Sequence, residues 1–574
     1  MKKLLRYLKY YKVESILGPL FKLLEASFEL MVPLVIASMI DVGIAGGDKD
    51  HIIKMCIVLL ILCAVGFASA VTAQFFAAKA SAGFAAKVKR ALFDNIQKLS
   101  YADIDKVGTS AMITRMTSDV NQVQQGVNLT IRLLLRSPFV VFGAMVMAFT
   151  ISPRLSVIFL ITIILLFIVV AAIMKWSIPM YGKIQKGLDG LLGLTRENHT
   201  GVRVIRAFNL QEKEKENFEE KNELQMKLQS FVGNVTALMN PVTYAILNLS
   251  VAFLIYRGAI VVNRGELSQG DVVALYNYMA QILVELIKFA NLILTVTKAI
   301  ASGNRVQEMI DMKSSMEDGS VTEFKETKDH IVFTDASMRY SGDIEDSLYP
   351  FSLTIKRGER VGIIGGTGSG KTTLINMIPR FYDTRSGSVV IDGINVKDYR
   401  MEALRERVGI VPQKAVLFSG TIRDNIIWGK NDATDEEIYK ALEIAQAKEI
   451  VDGKENGLDT KVAQGGKNFS GGQKQRLTIA RALVRKPEIL ILDDSASALD
   501  YLTDKRLREA IAGMDDAPTT IIVSQRTASV QNCDKIVVLD DGHVVGIGNH
   551  DNLLKYCETY REIYESQYKK EVAR

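Results

Sequence analysis

The chain has 574 residues, 48% of them hydrophobic, with a formal net charge of +6 and a positive mean hydropathy. That length exceeds a single hydrophobic core, and the composition excludes an ordinary soluble domain, so a membrane portion followed by globular lobes is expected. No Lys/Arg-dense block points to nucleic acid. Cys56, Cys63, Cys533 and Cys557 have neither metal-ligand nor disulfide-framework spacing, so all four read as reduced packing residues.

The N-terminus, MKKLLRYLKYYK, is basic and lacks a small-residue cleavage site. It reads as an interfacial helix on a chain inserted whole. Uncharged apolar stretches follow at Met55 to Ala78, Ser137 to Pro153, Leu155 to Met174 and Leu228 to Tyr256. All but the second reach the roughly 20 residues that span a bilayer, and the second is near the lower limit. Two further candidates carry charge: Ile16 to Ile40 contains Lys22, Glu25 and Glu29, and Val272 to Thr297 contains Glu285 and Lys288. Together they make six spans, near residues 16–40, 53–78, 132–153, 155–176, 230–256 and 272–298.

Charged segments with helical spacing, Lys79 to Arg132 and Lys175 to Lys227, extend these spans beyond the bilayer. Their Lys87, Lys89, Arg90, Arg203 and Arg206 place them in the cytoplasm. An ionisable residue inside a span costs roughly 2.5 to 3.5 kcal/mol on insertion scales, so it faces a cavity or a partner. Glu25, Glu29, Glu285 and Lys288 either line a path for amphipathic solutes, cationic ones included, or pair structurally between helices, or sit on the cytoplasmic side already in water; the sequence leaves these open.

A different chemistry begins at GGTGSGKT, which runs Gly365, Gly366, Thr367, Gly368, Ser369, Gly370, Lys371, Thr372 and is followed by Thr373. It fits GxxxxGK[ST] between an apolar strand, Arg360 to Ile364, and a helix, Thr373 to Ile378. The glycines let backbone N–H groups close around phosphates, Lys371 supplies a positive charge there, and the Thr372 hydroxyl suits Mg²⁺. Downstream stand VPQ (Val411 to Gln413), FSGGQ (Phe469 to Gln473) and an apolar strand ending in Asp493.

In that order these motifs resemble the ATPase domain of ABC transporters, and the residues before them look like the membrane half of a type IV exporter subunit. The resemblance implies an all-α transmembrane domain of six long helices (1–305), a linker (306–330) and an α/β P-loop nucleotide-binding domain (331–574). It implies that Tyr340 stacks on adenine, that Gln413 senses Mg²⁺ and water, and that Asp493 holds Mg²⁺ with Thr372. Ser470, Gly471, Gly472 and Gln473 would be the signature that closes on a partner's ATP. Cytoplasmic loop tips, near Asp105 to Met112 and Val202 to Phe208, would dock on ATPase domains. The expected setting is a bacterial cell membrane, with the ATPase domain in the cytoplasm.

The pattern is broken at two places. The family follows the strand aspartate with a glutamate that polarises the attacking water; here Asp494 stands there, its carboxylate withdrawn by about 1.5 Å, and an ångström of misplacement costs around a hundredfold. The switch histidine that contacts the γ-phosphate is replaced by Gln525 in TTIIVSQRTASV, and His51, His199, His330, His543 and His550 all lie elsewhere. Gln464 also stands where the exporters often have a glutamate. The combination resembles the degenerate-site subunit of heterodimeric bacterial multidrug exporters, which needs a second half-transporter with complementary motifs. Two other assignments stay open: a homodimeric lipid or drug exporter with slow sites, and an ATP-gated channel or regulatory subunit.

Overall fold

The computed structural model describes residues 3–495, 497–514 and 516–568, which fall into two compact units. The first comprises residues 1–96 and 110–312, and the second residues 97–109 and 313–574.

Among the described residues, the first unit holds six helices long and apolar enough to cross a membrane: Leu4–Ile44, Lys49–Ile96, Thr109–Ile151, Pro153–Thr200, Gln211–Asn263 and Gln269–Asp311. The second and fourth have 48 residues each, about 72 Å at 1.5 Å per residue, so they outrun a hydrocarbon core of about 30 Å. Local signals set the breaks. Ser152 is extended and its Oγ accepts from Leu155 N, with Pro153 opening the next helix at a position where a missing N–H costs nothing. Ser268 and Asp271 form a reciprocal capping box that starts the sixth helix, which runs on to Asp311, past the expected domain end at 305. Buried Val306 and Met309 continue its inner face there.

Small residues let these helices approach closely. A Cβ built on Gly126 would lie 2.2 Å from the Ala299 Cβ, and one on Gly143 would lie 2.4 Å from Leu30 Cδ1. The buried Tyr278 donates its hydroxyl to the Leu30 carbonyl at 2.7 Å, joining the sixth helix to the first. Cys56 and Cys63 are exposed on the second helix, so they are not the packing residues their apolar surroundings suggested; only Cys533 and Cys557 are buried.

The second unit is built on a six-stranded sheet in the order His543–Gly548, Lys535–Asp540, Arg360–Gly365, Thr519–Ser524, Ile489–Asp493, Val408–Val411. All neighbours are parallel except the first pair. The inner strands are near-continuous apolar runs because both faces are covered. Register pairs Ser524 with Ile364 and Val523 with Asp493, so the carboxyl ends of three strands reach one edge, where open α/β sheets bind ligands. A second, antiparallel sheet runs Leu348–Lys356, Asp329–Met338, Ser386–Ile391, Ile394–Asn395.

The loop helix Tyr101–Val107 belongs with this second unit. A Ser100/Asp103 capping box begins it and Gly108, at φ +79°, ends it, so the tip lies earlier than the expected Asp105 to Met112. Its Tyr101 ring packs 4.6 Å from Phe381, and Asp105 accepts from the Tyr382 hydroxyl at 2.6 Å. The second tip is the helix Val202–Ala207, within the first unit.

Candidate nucleotide site and the membrane charge cluster

At the carboxyl edge of the six-stranded sheet, the turn after Gly365 opens into the helix Lys371–Asn376. Gly368 and Gly370 adopt φ of +85° and +92°, conformations that side-chain-bearing residues rarely take. A Cβ on Gly365 would meet the Leu539 carbonyl at 2.1 Å, so that position also tolerates nothing larger. Ser369 Oγ donates to the Gly366 carbonyl at 2.9 Å and braces the loop.

The resulting cavity, about 290 Å³, is lined by Tyr340, Ser347, Thr367 to Thr373, Gln413, Asp493, Asp494, Val523 and Gln525. Gly365 and Gly366 stand behind this lining; their carbonyls accept from Lys371 Nζ at 3.0 and 2.5 Å. Burial pushes the Lys371 ammonium below the ordinary lysine range, opposed by the charges of Asp494 and Asp493. The Asp493 carboxyl is raised, first by burial and also by the neighbouring Asp494, with the Thr372 hydroxyl and Lys371 pulling the other way.

Thr372 Oγ1 donates to Asp493 Oδ2 at 3.2 Å, which brings a hydroxyl and a carboxylate together as a hard oxygen set that fits Mg²⁺. Gln413 Nε2 donates to Asp494 Oδ2 at 3.2 Å, so the aspartate points into the cavity. Asp494 itself has φ +45°, a left-handed conformation that aspartate bears better than most residues. Gln525 follows the strand end at Ser524 and lines the same cavity, and no histidine does so among the described residues. His330 is bonded to Thr519, His543 stacks on Tyr349, and His550 meets the Tyr560 hydroxyl; His51 and His199 lie in the first unit.

Two neighbours of this cavity have no sequence motif of their own. Tyr382 stands edge-on to Tyr340, with centroids 5.0 Å apart at 86°, while Tyr340 Oη meets Thr373 Oγ1 at 3.2 Å. The adenine-platform candidate thus sits one ring from the residue that holds Asp105. Gln567, on the helix Glu558–Tyr568, uses its Oε1 to accept from Thr527 N and Oγ1, at 2.9 and 2.8 Å. Its Nε2 donates to the Gln525 carbonyl at 2.8 Å.

Ser470 to Gln473 are not in this cavity. Ser470 caps the helix Gly471–Leu483 through a reciprocal box with Gln473, and Ser470 and Gly471 are exposed at its N-terminus. Gln464 lies in the short turn Gln464–Gly466 just before it. A larger cleft of about 1060 Å³, bounded by Arg357, Glu436, Lys440, Lys486 and Glu488, lies away from the glycine loop and shares none of its lining.

In the first unit the charged residues of the spans converge. Arg136, at the start of the apolar run of the third span, pairs with Glu285 and, at 2.6 Å, with Glu29; Glu25 is 3.9 Å away. Glu285 also accepts from Ser137 Oγ at 2.9 Å and pairs with Lys288 at 2.8 Å, while Lys22 pairs with Glu25 at 2.5 Å. Glu285 is buried; Glu29 and Lys288 keep 40% and 43% of their side-chain surface.

Residues 15–286 match the ABC transporter transmembrane region family and residues 348–497 match the ABC transporter family. The chain is 36% identical over 572 residues to the ABC transporter ATP-binding protein YfiB of Bacillus subtilis, covering 100% of this chain and 99% of that one. The chain belongs to the ABC transporter family. It is also 31% identical, over 99% of both chains, to a Bacillus subtilis protein provisionally named the multidrug export ATP-binding/permease protein YgaD. In fold it matches a bacterial Atm1-family ABC exporter with ATP bound, at TM-score 0.80 and 23% identity over 98% of both chains. It is therefore a half-transporter of type IV exporter fold, a multi-pass plasma-membrane protein whose cytoplasmic ATPase domain binds ATP, typically with Mg²⁺, and couples its hydrolysis to transport.

Proposed function

We propose that this half-transporter works in a heterodimer as the subunit with the degenerate ATP site, exporting amphipathic, drug-like solutes by alternating access. The observation that carries the reading is the make-up of one cavity: Lys371, Thr372 and Asp493 are intact, Asp494 and Gln525 replace glutamate and histidine, and no described histidine lines it.

Mg²⁺, when bound, would neutralise phosphate charge between Thr372 and Asp493, with Gln413 beside them. The chain's own residues divide into binders and failed catalysts. Lys371 and the glycine-loop N–H groups hold phosphate, and Tyr340 offers a ring to adenine. Asp494 is tied to Gln413 and is one methylene short, so it activates water poorly. Gln525 donates a hydrogen bond but carries no charge and shuttles no proton. The site therefore retains ATP, while the exposed helix N-terminus at Ser470 and Gly471 completes the partner's hydrolytic site. Solute and nucleotide both bias the same inward/outward equilibrium, as linkage requires. The name of YgaD supports the multidrug part of the reading.

The test is ATP turnover by the purified chain, alone and co-expressed with the half-transporter encoded beside it. Negligible turnover alone and restored turnover in the pair are expected; robust turnover by the lone chain sinks the reading. A homodimer with slow sites is the second reading, favoured by the fact that Asp494 still reaches the cavity through Gln413.

A further inference from the structure

The chain passes between its two units three times, at residues 96–97, 109–110 and 312–313. The first two passages flank the loop helix Tyr101–Val107, and the third leads out of the sixth span. In the membrane unit, side chains tie these passages together. Asn95, one residue before the end of the second span, donates its Nδ2 to the Met309 and Met312 carbonyls at 2.7 and 3.0 Å, where the end of the sixth helix leaves acceptors without an intrahelical partner. Arg305 of the sixth span holds both oxygens of Asp119 in the third.

In the ATPase unit the same passages are tied again. Ser315 N donates to Asp103 Oδ2 at 2.9 Å, and the Ser315 and Ser100 hydroxyls lie 2.8 Å apart. Burial raises the Asp103 carboxyl, but the hydrogen bonds from Ser100 and Ser315 outweigh it and hold it low, so Asp103 meets Ser315 as a carboxylate. Beyond Ser315 the chain forms a strap stitched down along its length. Asp318 Oδ1 accepts from Met401 N at 2.7 Å and so caps the helix Met401–Arg407, which Arg400 leaves without a side-chain cap. Val321 bridges to Tyr399, Phe324 lies under the Arg407 guanidinium at 3.4 Å, and Thr327 N donates to Asp392 Oδ1 at 3.0 Å. A Cβ on Gly319 would lie 2.2 Å from the Asp398 carbonyl, so no side chain fits where the strap lies closest. A segment fixed in this way transmits displacement, whereas a flexible linker absorbs it. Besides Phe381 and Tyr382, the loop helix thus has a third anchor, the strap itself.

We propose that the Asp103–Ser315 contact is a latch that makes the loop helix and the strap leaving the sixth span one body, with Asp103 as its positioning residue. Because the three passages are tied in both units, a displacement of the ATPase unit reaches the second, third and sixth spans together. Only the coupling of hydrolysis to transport is needed for this, not the degenerate site.

The test uses the full chain, co-expressed with its partner and reconstituted in liposomes. Ser315→Pro removes the N–H and the hydroxyl while leaving the Ser100/Asp103 box intact, and Ser315→Ala keeps the N–H. Ser315→Pro is expected to lower ethidium uptake into DNA-loaded proteoliposomes about fivefold or more, with ATP turnover held within about twofold. Ser315→Ala should change either by less than about twofold. A general structural defect lowers uptake and turnover in parallel; that outcome, or unchanged uptake in Ser315→Pro, overturns the latch. A second arm needs no solute and decides the matter should Ser315→Pro fail to fold. Ser100→Cys with Ser315→Cys, in a chain carrying Cys56→Ser and Cys63→Ser, is expected to cross-link on oxidation and to keep ATP turnover within about twofold. No cross-link, or a loss of turnover of about tenfold that reductant reverses, overturns the latch, because the two segments then lie or move apart. A pair that cross-links and turns over ATP as expected but moves no ethidium leaves the latch standing and defeats the multidrug reading instead.

Discussion

Asp494 combines a shortened side chain with a left-handed backbone and a hydrogen bond to Gln413. With Gln525 retained, the adjacent strand end offers the cavity an uncharged amide beside whatever carboxylate stands at 494. In a pair whose partner site has been inactivated, Asp494→Glu alone is therefore expected to raise ATP turnover less than about threefold, whereas Asp494→Glu with Gln525→His raises it tenfold or more. A large gain from the single change would favour the homodimer with slow sites. The sequence disclosed Asp494 and Gln525 because each follows an unmistakable apolar strand. His330 was legible only as a residue outside the motifs; the structure buries it completely between Arg357, Arg407, Asp392 and Glu488. Burial, and after it the charge of Arg357, push its imidazole down to about 4. Unfolded, it titrates near 6.5, so between those values the unfolded chain binds more protons and stability falls as pH falls, by on the order of 3 kcal/mol in all. Burial raises Asp392 and Glu488, but their arginine hydrogen bonds outweigh it and hold both low, so they add to the same acid loss at lower pH. The melting temperature of full-length protein should drop more steeply from pH 7 to 5 than that of His330→Gln; parallel curves would contradict this.

The elements that carry the site are held by contacts between distant segments. The helix Glu558–Tyr568 grips the loop after Ser524 through one amide, Gln567, with three hydrogen bonds to Gln525 and Thr527. At about 1 kcal/mol net each, these supply roughly 1 to 3 kcal/mol of loop ordering. Gln567→Ala should weaken binding of a fluorescent ATP analogue three- to tenfold with little change in melting temperature. Equal affinity would show that the loop orders without it. The loop helix Tyr101–Val107 is held by Phe381 packing and by the Tyr382 hydroxyl on Asp105, a charge-assisted bond worth about 1.5 to 3 kcal/mol. Tyr382→Phe keeps the ring against Tyr340 and removes that bond. Solute-stimulated turnover of the pair should fall while basal turnover and ATP affinity hold; a parallel fall in ATP affinity would place Tyr382 in the nucleotide pocket instead. The sequence marked the first loop tip within a few residues, and missed its start because the Ser100/Asp103 box is a short-range signal hidden in a long charged helix.

At the scale of the molecule, one set of nucleotide motifs and six spans make half a machine. Ser470 and Gly471 are exposed at a capped helix N-terminus, a surface that presents N–H groups and positive dipole to an anion brought from outside. Ser470→Arg in this chain should abolish turnover of the co-expressed pair while leaving ATP retention at the Lys371 site within about twofold. Turnover that survives the change would mean that this signature completes no hydrolytic site.

The sequence by itself determined the six spans and the nucleotide site. Spanning length is a property of a continuous apolar run, and phosphate binding is a property of a short backbone loop, so both are written locally. The partners of isolated charges were decided only by the tertiary structure. Helical spacing placed Glu285 and Lys288 on one face, but Arg136, at the margin of its span, meets Glu285 and Glu29 only because three helices pack together. Gln567 likewise reaches Gln525 from the far end of the chain. Periodicity tells which face a residue occupies; close packing alone chooses which neighbour that face meets.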